Sequence, residues 1–288
     1  MKNSITKKRT LLTAAILLIL LAIWLVWANK ALQFNEITVT SERLPQAFDG
    51  YRIAQISDLH NAEFGQENAE LLQMLTDAQP DMIVLTGDLV DSSHTDLEVA
   101  IHFVQQAVAI APTYYVTGNH EAWLGSAYGA LEEGLSQASV IIMRDEAMYI
   151  ERESQRILLM GVDDPEYFEG ESSLYDGGSA VMLQRITSLR YQEEEYTILL
   201  SHRPELFDTY VAADVDLVFS GHAHGGQFRL PFIGGLVAPD QGLFPEYDAG
   251  LYSEGRTNMV VSRGLGNSII PLRVGNRPEV VVVELRRP

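Results

Sequence analysis

Short, almost continuous apolar runs alternate along the chain with longer stretches in which apolar residues recur every three or four positions. The short runs are rich in Val, Ile, Leu and Tyr, which is typical of buried strands. They lie at residues 51–57, 81–87, 113–118, 157–162, 196–201, 216–221, 259–264 and 279–285. The longer stretches predict helices at residues 65–78, 95–110, 126–138 and 204–213. This alternation predicts a layered α/β architecture.

The first thirty residues depart from this pattern. Residues 11–28 carry no charge, and this length reaches the lower end of the roughly 17 to 25 residues that cross a bilayer as a helix. Four cationic residues precede the segment and only Lys30 follows it, which favours a cytoplasmic N-terminus. The apolar core of a cleaved signal is usually about 7 to 15 residues, so a retained anchor is favoured over cleavage after Ala28. Trp24 and Trp27 near the outer end favour a membrane helix over a buried core helix.

The rest of the chain has no internal repeat and no Pro/Ser-rich linker. We therefore predict two regions, a membrane anchor at residues 1–30 and one domain at residues 31–288. Together they predict a single-pass protein of the cell membrane whose domain lies outside the cytoplasm.

Charge and cysteine content limit the partners and ligands of this domain. Residues 31–288 hold 15 arginines and 39 acidic residues, a balance of −24, which makes nucleic acid and anionic lipid surfaces unlikely partners. No feature of the sequence indicates a protein partner. Charges beyond about 8 to 10 Å are screened at physiological salt, so a local cationic centre could still bind a small anion. The chain has no cysteine, so a metal site must use oxygen and imidazole ligands.

Polar side chains gather immediately after five of the predicted strands. Ligand sites in open α/β sheets collect at the carboxyl ends of strands, so these residues predict a site on one rim. They are Asp58, His60, Asp88, Asn119, His120, His202, His222 and His224.

Spacing suggests how these residues could hold two ions. His222 and His224 are two residues apart, so in extended chain they project to one side about 6 to 7 Å apart, and each can face one of two ions about 3.5 to 4 Å apart. Asp58 and His60 share this spacing. Asp88 stands alone at its strand end, and a carboxylate is suited to bridging two cations. This oxygen and imidazole donor set suits manganese, zinc or iron.

The segments DLH, GDLVD, GNHE, SH and GHAH occur in the order and spacing of the calcineurin-like metallophosphoesterase superfamily, which the chain resembles from residue 51 to about residue 288. The resemblance implies a four-layer α-β-β-α sandwich that holds two divalent metal ions. For the first ion it implies the ligands Asp58, His60, Asp88 and His224. For the second ion it implies Asp88, Asn119, His202 and His222.

Departures from the superfamily motifs indicate which branch of the superfamily this chain resembles. Asp91 is followed by two serines, and Thr117 precedes the GNHE segment, unlike in Ser/Thr protein phosphatases. Asp91 also stands where purple acid phosphatases have a tyrosine ligand. The segments GHAHGGQFRLP and SRGLGNSIIPLRVGNRPEV, with the N-terminal anchor, are more similar to a membrane-associated bacterial branch that includes relatives of UDP-2,3-diacylglucosamine hydrolase.

The expected reaction is hydrolysis of a phosphomonoester or phosphodiester, small or lipid-linked, by a metal-activated water. His120, next to Asn119, is expected to protonate the leaving alkoxide. Glu121 is interpreted either as the carboxylate that orients His120 or as an exposed loop residue. Arg203 and Arg263 could bind the substrate phosphate or form surface ion pairs.

Several alternatives remain open at this point. Residues 230–239 could touch a lipid chain, although a buried turn or strand is more common for such a segment. Asp163 and Asp164 could support the site or form an Asp-Pro turn. The alternative functions are a non-catalytic metal-binding protein of the cell envelope and an extracellular nuclease.

Overall fold

A computed structural model describes residues 2–168, 177–191, 195–267 and 269–288. All eight predicted strands and all four predicted helices are present within these ranges. The helices are α1 (Lys2–Lys30), α2 (Ala69–Ala78), α3 (Leu97–Ala107), α4 (Asn119–Trp123), α5 (Tyr128–Gln137), α6 (Gly177–Leu189) and α7 (Phe207–Ala212). The strands that precede the GHAH segment are β1 (Gln33–Thr40), β2 (Arg52–Ile56), β3 (Met82–Thr86), β4 (Thr113–Val116), β5 (Ile141–Ile142), β6 (Glu146–Arg152), β7 (Gln155–Gly161), β8 (Thr197–Leu200) and β9 (Leu217–Ser220).

The remaining strands follow the GHAH segment. They are β10 (Arg229–Leu230), β11 (Gly234–Gly235), β12 (Val237–Ala238), β13 (Gly242–Leu243), β14 (Gly250–Glu254), β15 (Thr257–Val261) and β16 (Glu279–Arg286). Strands β10 to β13 form two small antiparallel pairs, β10 with β11 and β12 with β13.

The other twelve strands form two six-stranded sheets. The first sheet has the order β1-β16-β2-β3-β4-β5, and the second has the order β14-β15-β9-β8-β7-β6. Strands β2, β3 and β4 are parallel neighbours in the first sheet, as are β7, β8 and β9 in the second. The carboxyl ends of each parallel trio therefore lie on one edge of their sheet, where loops can build a site.

Three apolar cores separate four layers. Along β3, Ile83 and Leu85 pack with helices α2, α3 and α5, whereas Met82 and Val84 pack between the two sheets. This division follows from the alternation of side chains along a strand. On the far face of the second sheet, a third core includes Met182 of α6 and residues of α7. The resulting α-β-β-α sandwich confirms the predicted fold class.

Helix α1 precedes this sandwich. Its segment Arg9–Lys30 is long and apolar enough to cross a membrane, and nearly all of it is exposed. Within residues 9–30, whose burial is described, α1 packs on the domain near its end, where Ala28 is buried, and the chain then enters β1 at the edge of the first sheet.

Candidate metal centre

The eight polar residues predicted at strand ends all lie on one rim, buried between the two sheets. The first sheet contributes five of them, after β2, β3 and β4, and the second contributes three, after β8 and β9. All eight are at least 94% buried: Asp58, His60, Asp88, Asn119, His120, His202, His222 and His224. Buried charges and imidazoles on this scale require partners or a cation.

The backbone at this rim adopts an uncommon conformation. Five of the predicted ligands have positive φ angles, between 45° and 62°, a region that non-glycine residues enter at a cost of about 1 to 3 kcal/mol: Asp58, His60, Asp88, His222 and His224. Glycines at the strand ends allow this crowding. A Cβ on Gly87 would lie 2.6 Å from His202 Nδ1, and one on Gly221 would lie 2.5 Å from Asp58 Oδ2.

Four of these residues form a first cluster. Asp58, His60, Asp88 and His224 offer ligand atoms that lie within 4.8 Å of one another. His60 Nε2 is 3.3 Å from His224 Nε2 and 3.5 Å from Asp88 Oδ2, and His224 Nε2 is 3.5 Å from Asp58 Oδ1. This cluster has the same four members as the ligand set that the family resemblance implies for the first ion.

A second cluster shares Asp88 with the first. Asp88, His202 and His222 offer ligand atoms within 4.8 Å of one another, and His202 Nε2 is 3.3 Å from Asp88 Oδ2. Asn119, the fourth residue expected here, lines the same cavity of about 280 Å³ as Asp88 and His222. Oδ2 of Asp88 therefore faces both clusters, as a bridging carboxylate must.

The orientation of Asp88 is set by the loop that follows β4. The backbone N–H of His120 donates to Asp88 Oδ1 at 2.9 Å, which leaves Oδ2 turned toward the imidazoles. The side chain of Glu121 ties this loop to the loop after β3, because its carboxylate accepts the backbone N–H groups of Asp88 and Leu89 at 2.8 Å and of Gly118 at 2.7 Å.

The structure corrects both interpretations of Glu121. The side chain is fully buried rather than exposed, and its carboxylate holds backbone amides rather than the His120 imidazole. Burial, reinforced by the charge on Asp88, raises the pKa of Glu121 above its ordinary value, while the amides of Gly118 and Asp88 act in the opposite direction and favour the ionised carboxylate, whose two oxygens can accept all three N–H groups. Glu121 thus joins the loops after β3 and β4.

Hydrogen bonds select which imidazole nitrogens are left for a cation. His202 Nδ1–H donates to the Thr86 carbonyl at 2.7 Å, so Nε2 carries the lone pair. His222 Nε2 faces Asp240 Oδ2 at 2.9 Å and Arg203 Nη1 at 3.1 Å, which leaves Nδ1 as the ring nitrogen free of these two contacts. Partners of this kind fix the tautomer and the ring direction of metal-binding histidines.

The rim fits a pair of cations on grounds independent of the motifs. Asn119 Oδ1 and His202 Nε2 are buried without a hydrogen-bond partner among the described residues. Burial lowers the pKa of His60 and of His224, so these imidazoles are neutral at pH 7 and can offer lone pairs. Burial acts on His202 in the same direction, but the charge and close contact of Asp88, together with the charges of Asp58 and Asp164, outweigh it and raise the pKa of His202 to about 10, so a proton and a cation compete for Nε2. The carboxylates therefore favour positive charge inside the cluster.

His120 lies beside the clusters, with its ring 4.5 Å from that of His60 and 4.8 Å from that of Trp123. The backbone N–H of Ser92 donates to His120 Nδ1 at 3.0 Å. Because a backbone amide can only donate, Nδ1 must accept, and the proton of the neutral ring resides on Nε2. His120 also lines the cavity of about 280 Å³.

The two predicted phosphate-binding arginines have different surroundings. Arg203 lines the cavity, but its guanidinium is paired with Asp164 at 2.6 and 2.9 Å and with Asp240. Asp164 therefore contacts a residue of the cavity wall and also accepts the Glu166 N–H in a short turn, as the Asp-Pro interpretation predicted. Arg263 lies against Glu279, with its Nε 3.5 Å from Oε2.

Three further residues brace the second sheet's half of the rim, and sequence reasoning assigned them no role. Asp240 contacts His222, Asn276 Nδ2 donates to the His224 carbonyl at 2.7 Å, and Arg273 Nη2 lies 3.4 Å from His224 Nδ1. Arg273 is fully buried. Both Arg273 and Asn276 belong to the segment PLRVGNRP. The similarity of this segment to the membrane-associated bacterial branch was the sequence signal that could have identified them.

Known proteins with similar sequences are metallophosphoesterases and phosphodiesterases. The sequence model of the family described as calcineurin-like phosphoesterase matches residues 51–226. An uncharacterized metallophosphoesterase of Bacillus subtilis, YkuE, is 28% identical, over 88% of this chain and 86% of its own length. The phosphodiesterase YaeI of Escherichia coli is 27% identical, over 82% of each chain. A transmembrane protein with metallophosphoesterase domain from Danio rerio is 28% identical over 97% of this chain, which spans 63% of that protein.

Proposed function

The chain belongs to the calcineurin-like phosphoesterase family, and we propose that it is a metal-dependent hydrolase of phosphomonoesters or phosphodiesters that works with two divalent ions. The observation that carries this proposal is the pair of clusters that share Asp88 Oδ2. A phosphodiesterase among the relatives supports the same reaction class. The donor set of oxygen and imidazole suits manganese, zinc or iron.

We assign the ions to the residues as follows. Asp58, His60, Asp88 and His224 would hold the first ion. Asp88, Asn119, His202 and His222 would hold the second. When bound, the two ions supply an activated water at neutral pH and neutralise charge on the phosphoryl oxygens.

His120 is the proposed general acid. Its Nε2 carries the proton because Ser92 occupies Nδ1, and its ring borders the cavity in which an ester would lie. Donation of this proton to the leaving alkoxide avoids the release of a strongly basic oxyanion. Arg203, on the same cavity wall, is the better placed of the two proposed phosphate contacts, while Arg263 has no such position.

We also propose that the protein is anchored in the cytoplasmic membrane. Residues 1–30 would anchor the protein, and residues 31–288 would form a catalytic domain on the outer face of the cytoplasmic membrane. The candidate span Arg9–Lys30, the charge asymmetry around it and the relative named as a transmembrane protein support this arrangement. A lipid-linked ester is then a reasonable substrate class, in keeping with the resemblance to relatives of UDP-2,3-diacylglucosamine hydrolase.

The acid role of His120 gives the sharpest test. With Mn²⁺-loaded full-length protein, we expect His120→Ala to lower turnover of an alkyl phosphodiester by about 10² to 10⁴-fold. The loss should be much smaller for a p-nitrophenyl ester, because its leaving group needs no proton, and metal content should stay at two ions. His102→Ala, an exposed histidine on α3, is the matched control.

Other outcomes would favour one of the alternative functions or a different role for His120. Two bound ions without turnover across a broad panel of phosphate esters would indicate the non-catalytic metal-binding protein. Faster turnover of oligonucleotides than of glycerophosphodiesters would indicate the nuclease. Equal losses for both leaving groups in His120→Ala would remove this residue from the acid role.

A further inference from the structure

Beside the metal centre, the surface is unusually apolar. In the described part of the chain, eleven large hydrophobic side chains outside α1 are exposed, and seven of them come from three loops that follow His224. Phe232 is fully exposed and Ile269 is 83% exposed. Single exposed apolar residues are common, but a cluster of them marks a contact surface. We call this cluster the apolar rim: Leu230, Phe232, Ile233, Leu243, Phe244, Ile269 and Ile270.

The three loops of the apolar rim form one connected structure. Arg229 N–H donates to the Val274 carbonyl at 2.8 Å, which joins the β10–β11 hairpin to the last loop. Gln227 Nε2 donates to the Ile270 carbonyl at 2.8 Å. Phe244 N–H donates to the Leu236 carbonyl at 2.9 Å and ties the middle loop to the same hairpin. The exposed side chains therefore extend from a common backbone frame.

Helix α1 is attached to the same frame. Arg273 N–H donates to Asn29 Oδ1 at 2.7 Å, and Asn29 Nδ2 donates to the Arg273 carbonyl at 2.9 Å. A cavity of about 440 Å³ lies between Leu25 and Val26 of α1 and Leu272 of the domain. The segment that carries Ile269 and Ile270 is thus fixed to the outer end of the candidate membrane span.

We propose that the apolar rim inserts into the surface of the same bilayer that α1 crosses, so that the cavity over the metal clusters opens at the level of the lipid headgroups. Ile269 belongs both to the apolar rim and to the wall of that cavity, which joins the two surfaces. Apolar contact rather than charge drives this docking, because residues 31–288 carry a balance of −24, from 15 basic and 39 acidic residues. The substrate consequence rests on the proposed function: the site takes phosphate esters carried by membrane lipids.

The absence of cysteine allows a direct test. Phe232→Cys in the full-length chain gives a single labelling position for an environment-sensitive fluorophore. In phosphatidylcholine liposomes that contain a nitroxide-labelled lipid, we expect this probe to be quenched at least about half as much as one at Trp24→Cys in α1. The matched control is Ser154→Cys, an exposed position at the amino end of β7, on the opposite edge of the sheet from the metal clusters. Its probe should remain unquenched.

Two results would overturn the docking. The first is a Phe232 probe that is quenched no more than the Ser154 probe. The second is a Phe232 probe shielded from aqueous iodide but not quenched by the lipid, because the surface would then pack against a second copy of the chain. Added salt should leave the quenching unchanged, and a loss of quenching in salt would contradict an apolar contact.

Turnover tests the substrate consequence separately. The variant Phe232→Ser/Ile233→Ser should hydrolyse a water-soluble aryl phosphodiester within about twofold of the unsubstituted protein, since both side chains are exposed. Its rate on a phosphodiester embedded in liposomes should fall by about fivefold or more. Equal effects on the two substrates would refute the lipid-carried class. Failure of the unsubstituted protein on every ester would refute the proposed function, while the quenching result would still decide the docking.

Discussion

In the first sheet, the loops that carry Asp88 and His120 are held by backbone amides, which converge on Glu121 and on Asp88 itself. In the second sheet, His222 is held by charged side chains, Asp240 directly and Arg203 beside it. Most residues supply a backbone amide, so the contacts in the first half depend mainly on the two acceptor carboxylates and on the space left by Gly87 and Gly118. In the second half His202 is held by the Thr86 carbonyl, but the ring of His222 depends on the side chains of Asp240 and Arg203. The two halves should therefore respond differently to mutation.

Asp88→Asn should have the largest effect, because it removes the one carboxylate that both halves share. We expect bound metal to fall from two ions to fewer than one. Turnover should fall by at least about a thousandfold, since each ion supplies several kcal/mol of transition-state stabilisation. Elemental analysis and steady-state kinetics measure the two effects. Asp77→Asn, an exposed aspartate of α2, is the control, and retention of two ions in Asp88→Asn would contradict a bridging role.

Glu121→Gln should have the next largest effect, although the side chain keeps its size. An amide NH₂ would replace one oxygen that accepts backbone N–H groups, so a buried donor loses its partner at a cost of about 1 to 3 kcal/mol. We expect both ions to bind about 10 to 100-fold more weakly, measured by metal titration, and the melting temperature to fall. The control is the exposed Glu133→Gln on α5. Weakening of only one ion would show that Glu121 does not act through the shared Asp88.

Asp240→Asn should have a smaller effect, confined to the second ion. The hydrogen bond from His222 lowers the pKa of Asp240 to about 2, so the carboxylate is charged at neutral pH, but it is 57% exposed and solvent weakens its influence. We expect affinity for the second ion to fall by about tenfold or less while the first ion binds normally. Asp208→Asn on α7 is the control. Equal loss of both ions would contradict separate bracing of the two halves.

Ser92→Ala should have the smallest effect. The hydroxyl lies 3.2 Å from His120 Nδ1, but the backbone N–H of the same residue already occupies that nitrogen at 3.0 Å. We expect turnover to change by less than about threefold and metal content not to change. A loss as large as that of His120→Ala would show that the hydroxyl, rather than the amide, holds the ring. Ser93→Ala, its exposed neighbour, is the control.

The fold was largely predictable because most strands are buried on both faces and appear as continuous apolar runs. Strand β1 escaped prediction because it lies at an edge of its sheet and its residues alternate between partly buried and exposed. Strand β6 also lies at an edge, in the second sheet, and contains mostly polar or half-buried residues. Helix α6 begins with Gly-Gly-Ser, which gives no helix signal. The segment at residues 230–239, expected to be more often buried, has Leu230, Phe232 and Ile233 exposed.

The convergence of the strand-end residues followed from topology, since parallel strands present their carboxyl ends together. The roles of Asp240, Arg273 and Asn276 could not be predicted from topology, because they depend on contacts between positions far apart in the chain. Asp240 meets His222 across 18 residues, and Arg273 meets His224 across 49. The sequence position of Glu121 allowed a carboxylate that orients His120 or an exposed loop residue, whereas the short helix α4 turns the side chain toward the backbone of the loop after β3.

The pairing of Asn29 with Arg273 has a practical consequence for anyone who wishes to obtain this enzyme without detergent. A version that starts after Lys30 would remove the acceptor of the Arg273 amide, and the guanidinium of that residue reaches the histidine that closes the GHAH segment. A truncation placed there would loosen the site as well as remove the proposed membrane anchor. Keeping the last turn of the helix, with its solvent-exposed apolar residues replaced by polar ones, would preserve the hydrogen bonds between Asn29 and Arg273.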